Sequence, residues 1–352
     1  MATHSLIWLL WGKFLLQLMS KVNAKVPAII VFGDSTVDSG NNNQISTILR
    51  SDFAPYGRDF EGGKPTGRFS NGRIAPDFIS EAFGIKPAIP AYLDPGYSIK
   101  DFATGVCFAS AGTGFDNATS DVLSVIPLWM EVEYYKDYQK KLRRYLGVEK
   151  ANKLLSEALY LISIGTNDFL ENYYAMPGGR STKFSVQEYQ NFILGIAKDF
   201  ITELYHLGAL KIAVTGLPPM GCLPLERTIN ILDGGNCIEE YNNVAKEFNG
   251  MLNGIIVELN EKLPGTNLVL LSLYDLVLEI IHKPNSFGFE NAAIACCGTG
   301  LFEMSYLCNR KNPFTCPDAN KYVFWDAFHP TERTNAIVAD HAVKNGLAQF
   351  FA

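Results

Sequence analysis

PAIIVFGDS at 27–35 decides the fold. Pro27–Phe32 is short and apolar on both of the faces a strand presents, and Gly33-Asp34-Ser35 then stops it with turn-forming residues. A strand with one wet face alternates polar and apolar, so an unbroken apolar run of this length fits a parallel strand covered on both sides. Four more runs share the character: Gly105–Ala109 (GVCFA), Leu159–Ile164 (LYLISI), Lys211–Thr215 (KIAVT) and Leu268–Leu273 (LVLLSL). Helical periodicity fills the stretches between them, as at 188–207 and 238–263. The alternation predicts the α/β class, a three-layer α/β/α arrangement around a five-stranded parallel sheet. No repeat, low-complexity tract or linker interrupts it, and residues 25–352 are expected to form a single domain.

A sheet of this kind binds ligands beyond the carboxyl ends of its strands. Ser35 follows the first strand run, Gly112 (in ASAG, 109–112) the second and Asn167 (in GTND, 165–168) the third, so the three are expected on one edge. DAFH at 326–329 adds an acid and a base if the chain returns there. These are the parts of an acyl-transfer site. A serine hydroxyl is a weak nucleophile that needs a base within hydrogen-bond reach and donors for the oxyanion it creates. Ser35 is the candidate nucleophile, His329 the base and Asp326 its orienting acid. The candidate oxyanion donors are the N–H groups of Ser35 and Gly112 and the side-chain amide of Asn167. Ser35 is expected where a strand hands over to a helix, whose free N–H groups would point at that charge.

Each segment alone is weak. GDS is also an ordinary capped turn, Gly112 and Gly114 also suit tight turns, and GTND also begins helices. Glu203-x-x-His206 and Glu279-x-x-His282 repeat the acid-to-histidine spacing, but both lie in amphipathic helical patterns where such contacts are routine. His329 instead sits in the aromatic segment YVFWDAFHPTE, closed by Pro330, which biases it towards extended backbone. His4 lies in the N-terminal apolar stretch and His341 beside Asp340 in a C-terminal helical pattern, which leaves His329 as the choice among five histidines.

That apolar stretch, LIWLLWGKFLLQLM at 6–19, is followed by the small-residue pattern Val22-Asn23-Ala24 and reads as a secretory signal peptide, residues 1–24, cleaved after Ala24. Its longest run without a polar side chain, Leu6–Gly12, falls short of the ~20 residues that span a bilayer, so the mature chain is expected to be secreted and extracellular, with no integral membrane segment. A formal net charge of −6 offers no basic face, and neither nucleic acid nor an anionic membrane is expected as a partner. The charged stretch 131–150 intermixes acids and bases and reads as the solvated face of one helix.

Seven cysteines suit an oxidising compartment. Cys222 and Cys237 flank a Gly/Asn-rich loop, while Cys296, Cys297, Cys308 and Cys316 crowd into one segment whose connectivity the sequence leaves open. Stapling is their expected role, since adjacent Cys296-Cys297 lacks the paired C-x₂-C spacing of a structural zinc site. Cys107, in an apolar run, is the odd one out and is expected buried and unpaired. Asn117-Ala118-Thr119 is the one N-glycosylation sequon, which makes Asn117 the candidate glycan site. A monomer is expected, for want of an exposed apolar repeat.

IIVFGDSTVDSGNNN, GVCFASAGTGFDNAT, LISIGTNDF and VFWDAFHPTE together resemble the four main blocks of the plant GDSL esterase/lipases, within the SGNH hydrolase superfamily. GRFSNGR (67–73), PPMGCLP (218–224) and CCGTG (296–300) resemble that family's intervening pattern, and the wording near Ser35 and Cys107 is most similar to its extracellular lipase branch. The resemblance implies a flavodoxin-like SGNH hydrolase fold and a secreted serine hydrolase that cleaves carboxylic esters of lipid or other acyl groups. It implies the triad Ser35, His329 and Asp326, an oxyanion hole of Ser35, Gly112 and Asn167, and an acyl-enzyme intermediate. It also implies no cofactor and no metal, in keeping with the lack of a Gly-rich phosphate loop or His/Cys ligand spacing. Cys107 stands where the second block often has Asn and Ala111 where it often has Gly, so Gly114 remains beside Gly112 as a donor candidate. GRFSNGR reads as a loop leading into a helix near 74–83, with Ser70 or Asn71 as cap. The same residues would serve a transacylase, and the fold would serve a non-catalytic secreted coat or binding protein.

Overall fold

The structure, a computed structural model, describes residues 26–351. The segment 1–24 expected to be a signal peptide lies outside the described residues. Five strands form one sheet: β1 (Ile29–Gly33), β2 (Gly105–Cys107), β3 (Leu159–Ser163), β4 (Lys211–Thr215) and β5 (Asn267–Leu271). All neighbours run parallel in the order β2-β1-β3-β4-β5, with Ile29 level with Gly105 and Leu159, and Val31 with Cys107 and Leu161. This is the flavodoxin-like order, in which the chain leaves β1 first to one side and then to the other, so the β1/β3 edge is its switch point. Each strand lies within two residues of its predicted run.

The longer helices are α1 (Ala75–Ala82), α2 (Asn117–Leu123), α3 (Leu128–Leu146), α4 (Val148–Glu157), α5 (Val186–His206), α6 (Glu239–Lys262), α7 (Tyr274–His282) and α8 (Glu332–Asn345). Strand parity sorts them into two layers. Ile30, Phe32, Tyr160, Ile162, Ile212 and Val214 pack against α3 to α7, while Ile29, Val31, Leu161, Ala213 and Leu271 pack against α1 and α8. Both faces of the sheet are covered, which is why the strands read as continuous apolar runs.

Two local expectations are corrected. The stretch 131–150 is not one solvated helix. Gly147, at φ 84°, ends α3 and starts α4, and α3 buries Glu131, Val132, Tyr135, Tyr138 and Leu142 on the sheet. Its interleaved charges mark only the outer face. The helix expected near 74–83 forms as α1, yet neither Ser70 nor Asn71 caps it. Asp77 does, accepting the N–H of Ile74 at 3.1 Å while it takes a two-pronged ion pair from buried Arg68 at 2.8 and 2.9 Å. Ser70 donates instead to the carbonyl of Pro330, and Asn71 accepts the N–H of Glu332 at the start of α8. GRFSNGR therefore clamps the segment that follows His329.

Candidate active site

β1 ends at Gly33, whose φ is 140° and where an added Cβ would lie 1.9 Å from the carbonyl oxygen of Ser163; only glycine permits that approach. No helix follows, contrary to expectation. The side chains of Asp34 and Asp38 capture the N–H groups a helix would need. Asp34 accepts Thr36 N and Oγ1 at 2.9 and 2.7 Å, and Asp38 accepts Gly40 N and Asn41 N at 2.8 Å each. The chain makes a single helical turn and leaves Ser35 at its tip. Neither the N–H nor the hydroxyl of Ser35 has a hydrogen-bond partner among the described residues.

The polar residues after Ser35 build the neighbouring loop. Asn41 donates to the carbonyls of Cys107 and Ala109 at 3.0 and 2.8 Å. Asn42 donates to Ala111 O at 2.9 Å, and Asp38 accepts Ala111 N at 3.2 Å. Gly112 thus stands beside Ser35 at φ 88°, its N–H also without a partner among the described residues. Gly114 has a different reason to be glycine, since a Cβ there would lie 2.3 Å from an Asp168 carboxylate oxygen.

Asn167 follows β3 and donates to Thr113 O at 3.0 Å. An amide carries two donor hydrogens, so one stays available. The chain then enters π-helical turns, Asp168–Ala175, a rare form often found at functional sites. Asp168 begins them and takes Phe115 N, Asp116 N and Thr119 Oγ1 at 2.8, 3.0 and 2.6 Å. Burial pushes its carboxyl up to about 7.

Asp326 and His329 share a tight turn in which Trp325 N donates to His329 O at 2.7 Å. The Asp326 carboxylate accepts Phe328 N and His329 N at 2.9 and 2.7 Å and lies 2.8 and 2.9 Å from His329 Nδ1. Tyr56, from a distant loop, donates its hydroxyl to the same carboxylate at 2.5 Å and accepts Ser305 N at 2.8 Å. Burial, with Asp326 beside it, holds the Tyr56 phenol well above its ordinary range, so it stays a donor. His329 Nε2 is buried and without a hydrogen-bond partner among the described residues.

One cavity of about 230 Å³ collects these groups: Ser35, Gly112, Asn167 and His329 line it, with Phe69, Glu171 and Phe328. The three residues expected on one edge, Ser35, Gly112 and Asn167, thus line one cavity together with His329, and Asp326 stands behind His329. Tyr56, Glu171 and the scaffolding asparagines were not singled out from sequence. Asn41 and Asn42 lie inside a motif quoted for its resemblance, which was the only signal available. Asn117, on the first turn of α2, is exposed, with Thr119 of its sequon buried.

Three disulfides, Cys222–Cys237, Cys296–Cys316 and Cys297–Cys308, resolve the connectivity left open above. Cys107 is free and buried, donating to Val37 O, and burial pushes its thiol up to about 12. Cys222 and Cys237 approach His282, but the disulfide removes the thiolates a metal would need.

A strand-end serine, a histidine backed by a carboxylate and clustered N–H donors at the edge of a parallel sheet are the features of the serine hydrolase class. The sequence profile of the GDSL-like lipase/acylhydrolase family matches residues 29–342. A GDSL esterase/lipase of Arabidopsis thaliana is 65% identical over 98% of both chains. Two more from that plant are each 59% identical, one over 98% of both chains and the other over 96% of this chain and 97% of its own. The chain belongs to the plant GDSL esterase/lipase family, and it is a carboxylic ester hydrolase.

Proposed function

We propose that this chain is a secreted ester hydrolase working through a Ser35–His329–Asp326 triad and an acyl-enzyme. The observation that carries the reading is His329 Nε2, buried without a hydrogen-bond partner among the described residues on the cavity that Ser35 also lines, while Nδ1 is held by Asp326. An Nδ1–H engaged by a carboxylate leaves Nε2 as the proton acceptor. His329 takes the Ser35 proton as Oγ attacks the ester carbonyl. The N–H groups of Ser35 and Gly112 and the free hydrogen of the Asn167 amide hold the oxyanion. Protonated His329 returns the proton to the leaving alcohol, and water, activated by the same imidazole, releases the acid.

Secretion rests on residues 1–24 and on three disulfides, which suit an oxidising compartment. Among the described residues no helix is long and apolar enough to cross a membrane. Residues 25–352 act as one monomeric domain in this reading, and exposed Asn117 is its glycan site. Ser35→Ala is expected to reduce hydrolysis of p-nitrophenyl acetate by roughly 10⁴-fold or more with an unchanged circular dichroism spectrum. An organophosphonate should label only the parent protein. Undiminished turnover by the variant would refute the assignment.

A further inference from the structure

Behind the catalytic wall lies a second cavity, of about 150 Å³, between the sheet and the helices α1 and α8. Ile79, Leu161, Leu271, Leu273, Val338 and Ala342 form its apolar sides, and among the described residues no charged residue lines it. Three of its polar walls turn hydrogen-bonding groups to the protein, while the hydroxyls of Thr166 and Thr215 make no side-chain hydrogen bond among the described residues. Thr36 is paired with Asp34 and Ser163, Thr334 donates to Val323 O, and Asn335 donates to Thr331 O. The space therefore offers contact to hydrocarbon and little to a polar group.

Its position relative to the chemistry is specific. Thr36, Thr166 and Phe328 line it, and each is the chain neighbour of a catalytic-cavity residue: Ser35, Asn167 and His329. Among the described residues Phe328 alone lines both cavities, its ring centroid 5.4 Å from that of His329. A single aromatic ring thus partitions the reacting centre from an apolar reservoir. The catalytic cavity is larger and also has apolar walls, Ile48, Leu49, Leu123, Met304 and Leu307 among them, but unlike the rear cavity it contains a carboxyl group, that of Glu171, which makes no side-chain hydrogen bond among the described residues.

We propose that this rear cavity receives the acyl chain of the substrate, with Phe328 as the partition that turns aside. The proposal rests on ester hydrolysis at Ser35 and adds the substrate class: esters of medium-chain fatty acids. Apolar cavities of about 150 Å³ hold a six-carbon ring, so a chain of about six carbons fills it.

The test uses p-nitrophenyl acetate, butyrate, hexanoate and decanoate, with the parent protein and two variants that narrow the cavity from α8, Val338→Phe and Ala342→Leu. For the parent protein, kcat/KM is expected to rise to hexanoate and fall at decanoate. In whichever variant keeps a cooperative melt, the hexanoate-to-acetate ratio of kcat/KM is expected to fall tenfold or more. A readout independent of turnover uses Ser35→Ala protein: sodium hexanoate should raise its melting temperature more than acetate does, and the added Val338→Phe or Ala342→Leu change should remove the difference. A ratio within twofold of the parent value in the folded variants overturns the proposal, as does hexanoate stabilisation that survives filling. Loss of the Ser35 assignment would show separately, as turnover retained by Ser35→Ala, and the melting experiment would still decide the cavity.

Discussion

A fully buried carboxylate has to be surrounded by donors, and Asp326 is: two backbone N–H groups, the His329 ring and the Tyr56 hydroxyl. Tyr56 is the member that sequence does not reveal. It lies 270 positions away in a loop without periodicity, and its phenol resembles any other in the chain. Removing its oxygen takes a donor from a buried charge and leaves Ser305 N without its acceptor. Hydrogen bonds to charged groups contribute about 1.5–3 kcal/mol, so Tyr56→Phe is expected to lose stability in that range. As Tyr56 acts on His329 only through Asp326, it is a positioning residue, and kcat should fall roughly tenfold or more while KM stays within threefold. Urea titration and steady-state kinetics on one preparation check both, and an unchanged kcat counts against the role. Ser35 and His329 were legible because their chemistry sits in short local segments. Asn41 and Asn42, which hold the loop bearing Gly112 by donating to the carbonyls of Cys107, Ala109 and Ala111, sit in the same motif as Ser35 but reach partners more than sixty positions away, and their residue type carries no signature of that task.

Among the elements, the five strands were readable and the turn after β1 was not. Continuous apolar runs report burial on both faces, a property each strand carries by itself. The missing helix after Ser35 depends on Asp34 and Asp38 outcompeting the backbone for N–H groups, and on Gly40 at φ 129°, which composition alone does not show. The same holds for α3, whose charged appearance hides Glu131. That carboxyl is buried under the end of β1 and accepts Gly33 N at 3.0 Å. Burial, with Asp38 and Asp34 nearby, raises it well above the ordinary carboxylate range, which favours the neutral form where it supports the nucleophile turn. A neutral isostere should then serve. Glu131→Gln is expected to melt close to the parent protein at pH 7, whereas Glu131→Ala leaves Gly33 N unpaired and opens a cavity, losing about 1–3 kcal/mol or more. Equal losses in the two variants would show that the charge, and not the acceptor, is needed.

Taken over the whole molecule, the buried acids set the direction in which stability changes with pH. Burial raises Asp34 and Asp38 to about 6 and Asp168 and Glu226 to about 7. In the unfolded chain these groups ionise near 4, so between about pH 4 and 7 the folded state holds more protons than the unfolded one. Their contribution is thus complete below the unfolded values and is lost as pH rises through 6 to 7. Carboxylates shifted the other way act only in acid: Glu258, held down to about 2 by Lys198 and Lys262, loses its contribution as pH falls through that range. The two sets meet near pH 4, so the melting temperature should be highest there, decline as pH rises to about 7, and level off above it. The disulfides do not titrate in that range, and calorimetry at constant ionic strength isolates the carboxyl effect. A melting temperature that stays flat or climbs between pH 5 and 8 would mean that these acids ionise in the folded protein as they do in water, and the polar architecture beneath Ser35 would need another explanation.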